Sequence, residues 1–290
     1  MALFKTICED LQFPEGPISM PDGSVILVEI ARGTLTRVLA SGRREVISDP
    51  GGGPNGAAIG PDGACYVCNN GGFDWEKDQK TGRLRPITQA KDYTTGRIER
   101  VDVSTGKLER LYDKCGTQKL NGPNDIVFDK KGNMWFTDLG KTRSRDRDHG
   151  AVYWARPDGT EIIEVVQPIT TPNGIGLSPD EKTLYVAETE GARLYSFRII
   201  GDGQVNVQHT GLYDIVWLGT GIGRWGGILC GAAFVFFSYV HCSRIGHEGI
   251  NGLLDIIAAS VFTWEQFPVG SSRCAFRGVR GIDWFYTATH

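Results

Sequence analysis

The sequence predicts an all-β fold, a six-bladed β-propeller of four-stranded antiparallel blades with blades five and six atypical, in a single domain over residues 1–290. Three observations predict it. Glycine is abundant (39 of 290 residues) and charged residues are a modest 22%, which suits many short strands joined by tight turns better than long helices. One template recurs four times: Pro, a polar residue, an apolar run, a turn rich in Gly and Asp, an apolar and aromatic run, and a closing polar residue. Each copy is followed by a second pair of strand-like runs around a turn.

The first copy is "PEGPISMPDGSVILVEI" (14–30), followed by "GTLTRVLASGRREVIS". The second is "PNGAAIGPDGACYVCNNG" (54–71), followed, after an insertion, by "GRIERVDVSTGKLERLYD". The third is "PNDIVFDKKGNMWFTDLG" (123–140) with "GAVYWARPDGTEIIEVV", and the fourth is "PNGIGLSPDEKTLYVAET" (172–189) with "ARLYSFRIIGDGQVNV". Alternating apolar and polar residues around Ser-Gly, Thr-Gly, Asp-Gly and Gly-Asp-Gly turns are a hairpin signature. Each unit therefore reads as a four-stranded antiparallel sheet, and the spacing of starts extrapolates to six. One such sheet cannot bury both faces, whereas sheets stacked radially can. The insertion "DWEKDQKTGRLRPITQAKDYT" (74–94) is polar and is expected as a surface loop overhanging one mouth.

The polar positions keep a fixed step. From leading to trailing residue they run Glu15 to Glu29, Asn55 to Asn69, Asn124 to Asp138 and Asn173 to Glu188, separations of 14, 14, 14 and 15. In a propeller the first strand of every blade lines the axis and the second runs back beside it, so both ends meet at one mouth. Glu15, Asn55, Asn124 and Asn173 should then ring the axis, with Glu29, Asn69, Asp138 and Glu188 forming a wider ring at the same end. An Asn after Pro often caps a turn with its side chain, but three at matched places completed by a Glu point instead to hard oxygen ligands. One divalent cation is expected there, Ca²⁺ first, with Mg²⁺, Mn²⁺ or Zn²⁺ as alternatives.

Other features bound the function. A net charge of −3 offers no basic footprint for nucleic acid or an anionic membrane. Seven Cys, an odd and scattered set, fit a reducing compartment, and Cys65 and Cys68 read as strand cysteines because no second pair completes a metal knuckle. No secretory signal is legible at "MALFKTICEDLQFPEGP", so the cytoplasm is the expected location. The apolar run 225–240 falls short of the roughly 20 residues a membrane span needs.

"PEGP", "GPNDIVFD..GNMWFTD" and "TPNGIGLSPDEKTLYVAET" resemble the SMP-30/gluconolactonase/LRE-like family of six-bladed propellers, through about residues 10–205. The resemblance implies a metal held by Glu15, Asn124 and Asn173, and hydrolysis of a small-molecule lactone. It leaves Asp138 and Glu188 as candidate catalytic carboxylates, with Asn55, Asn69 and His149 as candidate substrate contacts. Phosphotriester hydrolysis on the same metal, or a non-catalytic ligand-binding scaffold, are the alternatives, since fold alone does not decide.

The pattern departs after about residue 205. Residues 206–290 contain no Lys, one Pro and four of the five His, a shift of the kind a changed reading frame or strong divergence produces. Uniform codon usage in the coding DNA would exclude the former. No residue there matches the Asp that the family carries in blade five, although Asp214, Glu248, Asn251 and Asp255 are available. The cluster His241, Cys242, His247 and Glu248 is too irregular to read as a metal site. "CAFRGVRGIDWFYTATH" resembles two strands of a sixth blade, whose closure would draw an outer strand from "LFKTICEDL" (3–11).

Overall fold

The computed structural model describes residues 6–80, 82 and 84–214, plus three strands near the C-terminus; for 208–214 and those three strands the backbone alone is described. The first sheet holds β1 (Pro14–Ser19), β2 (Val25–Glu29), β3 (Thr34–Val38) and β4 (Arg44–Ser48) in sequence order, all antiparallel. The second holds β5 (Pro54–Ile59) and β6 (Cys65–Asn69). A separate hairpin, β7 (Phe73–Lys77) with β8 (Leu84–Gln89), interrupts this sheet before β9 (Arg97–Val101) and β10 (Leu108–Tyr112) complete it. After a two-residue ladder of β11 (Lys114–Cys115) with β12 (Gln118–Lys119) comes the third sheet. It comprises β13 (Pro123–Phe128), β14 (Met134–Asp138), β15 (Gly150–Ala155) and β16 (Ile162–Ile169). The fourth comprises β17 (Pro172–Leu177), β18 (Thr183–Glu188), β19 (Arg193–Gly201) and β20 (Gln204–Asp214). Finally β21 (Thr263–Gln266), β22 (Ser272–Arg277) and β23 (Asp283–Ala288) form an antiparallel trio.

The four predicted hairpin pairs are thus four four-stranded sheets. The turn between the first two strands shows why the template repeats. Asp22, Asp62, Asp129 and Asp180 each accept, through Oδ1, the backbone N–H two residues on, at 2.9, 3.1, 3.0 and 3.1 Å. The residue after the turn's centre is left-handed in every copy: Gly23, Gly63 and Gly132 in three, Glu181 (φ 54°) in the fourth.

Strand alternation then decides packing. On β6, Cys65 and Val67 face the first sheet beside Ile26, Val28 and Leu35, while Tyr66 and Cys68 face the third beside Met134, Phe136 and Tyr153. On the third sheet, Trp135, Val152 and Trp154 point the other way, against Ile175, Leu184, Val186 and Phe197 of the fourth. With a period of two, each inner sheet buries both faces, each against a different neighbour. Full burial of one such side chain contributes about 1.5–3 kcal/mol. The first strands β1, β5, β13 and β17 lie side by side in that order, and the outer strands β4 and β10 are partly exposed. This is propeller-type stacking of four blades.

Two expectations change. The insertion at 74–94 is a hairpin rather than an unstructured loop, because "FDWEK" and "LRPITQ" alternate and pair from Phe73↔Gln89 to Lys77↔Leu84. The N-terminal segment supplies no outer strand over its described residues 6–11. Instead Cys8 and Leu11 pack on Leu27 and Val38 of the first sheet, and left-handed Asp10 and Phe13 break the extended path. The apolar run 225–240 and the His241 cluster lie outside the described residues, as do Glu248, Asn251 and Asp255. Among the described residues no helix is long and apolar enough to cross a membrane.

Candidate functional site

Glu15, Asn55, Asn124 and Asn173 each occupy the second position of the first strand of their sheet, and all four are buried. Close backbone approach brings them into one arc. A Cβ on Gly16 would stand 2.7 Å from Ala57 N and 2.8 Å from Asn55 O, and one on Gly56 would stand 2.3 Å from Asn124 O. Glycine after the polar residue is what lets neighbouring strands close this tightly. Between the third and fourth sheets the link is hydrogen bonding: Thr137 Oγ1 donates to Asn173 O (2.5 Å), and Ile175 N donates to Asp125 Oδ2 (3.2 Å).

The side chains at these positions are short of partners. Among the described residues, Glu15, Asn55 and Asn124 make no side-chain hydrogen bond. Asn173 donates Nδ2 to Thr189 Oγ1 (3.0 Å), and among the described residues its Oδ1 has no partner. The fully buried side-chain atoms without any partner among the described residues lie elsewhere, at Arg37 Nε, Asn70 Nδ2 and Trp154 Nε1. Burial pushes the Glu15 carboxyl up to about 8, and the nearby Asp125 charge adds to the rise. Asp125 itself is pushed up to about 6 by burial, against the pull of the Ile175 and Ile126 N–H groups. Glu15, which no donor among the described residues reaches, and the amide oxygens beside it suit a hard divalent cation, whose charge would reverse that cost; Asp125 adds a second carboxylate, held by the Ile126 and Ile175 N–H groups. No cluster of three or more His, Cys, Asp or Glu side chains forms among the described residues, so such a cation would depend on amide oxygens beside Glu15.

Asp125 was not legible as a site residue. The only signal is "PND" in the third unit where two others read "PNG".

The wider ring has another occupation. Asp138 accepts three backbone N–H groups: Gly122 (2.6 Å) and Gly140 (2.9 Å) on Oδ1, and Asn121 (2.7 Å) on Oδ2. Asn69 does the same through Oδ1 for Gly53 (2.9 Å) and Gly71 (3.0 Å), and donates Nδ2 to Gly51 O and to Glu99. Glu29 accepts from Gln12 N (2.7 Å) and Glu188 from Thr170 N (3.0 Å). All four are buried and tie down the segment leading into the first strand of their own sheet. Asp138 and Glu188, expected as catalytic carboxylates, thus have oxygens committed to backbone, as does Asn69, expected at the substrate. The step of 14 or 15 residues records this tether as well as the ring. His149 is exposed, just ahead of β15.

Cys65 and Cys68 are buried strand thiols. Burial pushes Cys65 up to about 12 and Cys68 well above the usual thiol range, with Asp125 and Asp138 adding to the latter.

Fold and site together define a propeller-type β protein with an oxygen-rich, donor-poor arc where its first strands begin. Residues 13–215 match the model of the SMP-30/gluconolactonase/LRE-like region, and the chain belongs to that family. It is 30% identical over 183 residues to lactonase drp35 of Staphylococcus saprophyticus, covering 62% of this chain and 49% of that protein. It is 28% identical over 212 residues to a gluconolactonase of Zymomonas mobilis, covering 65% and 52%. The chain therefore spans about half the length of the curated relatives it matches. The gluconolactonase structure XC5397 of Xanthomonas campestris superposes with a TM-score of 0.55 at 22% identity, over 72% of this chain and 64% of that one.

Proposed function

We propose that this protein is a metal-dependent lactonase, a six-bladed propeller that hydrolyses a small cyclic ester at the mouth where its first strands begin. The observation that carries the reading is the buried set of Glu15, Asn124 and Asn173, short of protein donors among the described residues, at the matched second position of the first strands of three sheets, in a family whose curated relatives include lactonases. Those three side chains would hold the cation, Ca²⁺ first. The chemistry it supplies when bound is polarisation of an ester carbonyl.

The chain's own residues do the rest. Asp125, next to Asn124 and held in place by the N–H groups of Ile126 and Ile175, is the carboxylate that would take a proton from water. Asn55, between Glu15 and Asn124 in the arc, offers an amide to the substrate's polar atoms. Asp138 and Glu188 act through the loops they tether, and so position the strands that carry the ligands.

The test is a panel of lactones and phosphotriesters assayed with and without chelator, alongside Glu15→Gln. Lactone turnover that falls with chelator and with the variant is the expected result. Metal binding without turnover of any ester would overturn the enzyme reading in favour of a scaffold. Turnover indifferent to both would remove the cation.

A further inference from the structure

The β7–β8 hairpin lies at the same end of the molecule as the oxygen-rich arc. Pro54, at the start of β5, pairs with Asn69, at the end of β6, and the hairpin leaves the sheet immediately afterwards at Gly71 and Gly72. From there it reaches both neighbouring sheets. Trp75 meets Phe13 of the first unit with ring centroids 5.0 Å apart, and Phe13 stands two residues before Glu15. On the other side, Gln89 N and Thr88 Oγ1 both donate to Thr142 O beyond the third unit's β14, at 3.3 and 3.2 Å.

The hairpin is also fastened at its base. Lys141, buried, donates Nζ to Asn70 O (2.8 Å) and Gly72 O (2.7 Å) and lies 4.2 Å from the Phe73 ring centroid and 5.1 Å from that of Tyr93. Phe73 in turn packs edge-on to Trp75 at 5.9 Å. Three rings are therefore fixed together beside the start of β1, and all three remain half-exposed. They are not part of the four clusters that form the core between the sheets.

The geometry points to Phe13, Phe73 and Trp75 as a specificity wall that selects lactones bearing an apolar ring or alkyl substituent over polyhydroxylated ones. The inference rests on the lactonase reading for its substrate class. Its physical basis is separate. A half-exposed aromatic cluster gains in proportion to the apolar surface it covers, and a polyhydroxylated ester offers it less of that surface than an aryl or alkyl one. Discrimination by an apolar pocket is typically about 10- to 200-fold.

The experiment compares kcat/KM for an aryl-substituted and a polyhydroxylated lactone, in the presence of Ca²⁺, for the wild type, Trp75→Ala and Trp75→Phe. The aryl-to-polyhydroxyl ratio should fall at least about tenfold in Trp75→Ala and be retained in Trp75→Phe. A ratio in Trp75→Ala within twofold of the wild type, or a wild type that prefers the polyhydroxylated ester, would overturn the proposal. Calorimetric titration with the corresponding non-hydrolysable lactams reads the wall without turnover. If no lactone is hydrolysed, the lactonase reading fails. The wall then stands if the wild type prefers the aryl lactam and Trp75→Ala does not, and falls if both bind the two lactams equally.

Discussion

Asp138 offers the sharpest separation between a chemical and an architectural role. Its carboxylate is buried and accepts from Asn121, Gly122 and Gly140 at 2.7, 2.6 and 2.9 Å. Asp138→Ala would strand the N–H groups of Asn121, Gly122 and Gly140, each costing about 1–3 kcal/mol, so a loss of at least about 3 kcal/mol of stability is expected. That is a large share of a typical domain's total of about 5–15 kcal/mol. Asp138→Asn is the milder probe. Asn69 shows that an amide works at the equivalent place in the second sheet, with Oδ1 serving Gly53 and Gly71. At 138 an amide would keep the Gly122 and Gly140 bonds but turn Nδ2 toward the Asn121 N–H, one donor against another, for about 1–3 kcal/mol. Urea denaturation of the three proteins, with lactone turnover measured on the folded fraction, gives both quantities. If Asp138→Asn or Asp138→Ala lost less than about 1 kcal/mol while turnover vanished, the tether argument would be wrong and the carboxylate would be chemical.

Three further outcomes are expected. Gly56→Ala places a Cβ 2.3 Å from Asn124 O and 2.6 Å from Asp125 Cα, so it should cost about 1–3 kcal/mol and weaken Ca²⁺ binding, read by calorimetry; unchanged affinity would show that the arc tolerates a wider strand spacing. Lys141 is held down to about 7 in the folded protein, chiefly by burial and against the pull of Asp138 and Asp148. Above pH 7 the unfolded chain therefore binds the extra proton, and stability should rise with pH by up to about 1.4 kcal/mol per unit between pH 7 and 8.5; Lys141→Met should lack that slope in pH-dependent denaturation. In native protein Cys65 and Cys68 should resist iodoacetamide while the partly exposed Cys115 reacts, as peptide mass spectrometry would report; early labelling of Cys65 would contradict its burial.

Much of the architecture was legible because it repeats. The Pro-polar starts, the Asp-centred turns and the alternation on β6 and β14 are local patterns, and they assign strands, pairs and buried faces without coordinates. Glu15, Asn55, Asn124 and Asn173 were legible as a set for the same reason, since equal offsets in equivalent strands fall at one end of the molecule. Less was legible where the backbone makes the decision. A carboxylate in the ring of trailing residues looks the same in sequence whether it faces a ligand or a row of N–H groups, so Asp138 and Glu188 read as chemical. The turn of "FDWEK" back onto "LRPITQ" was hidden beneath a polar composition.

What the sequence alone determined is periodic: four repeated sheets, the hydrophobic faces they stack, and the polar residue that begins each first strand. What only the tertiary structure decided is which polar atoms remain without donors, that Asp125 stands near Glu15, and that Phe13 and Trp75 meet across two units. Period and spacing follow from the short-range geometry of strands and turns, whereas the pairing of a buried oxygen depends on segments distant in the chain that packing brings together.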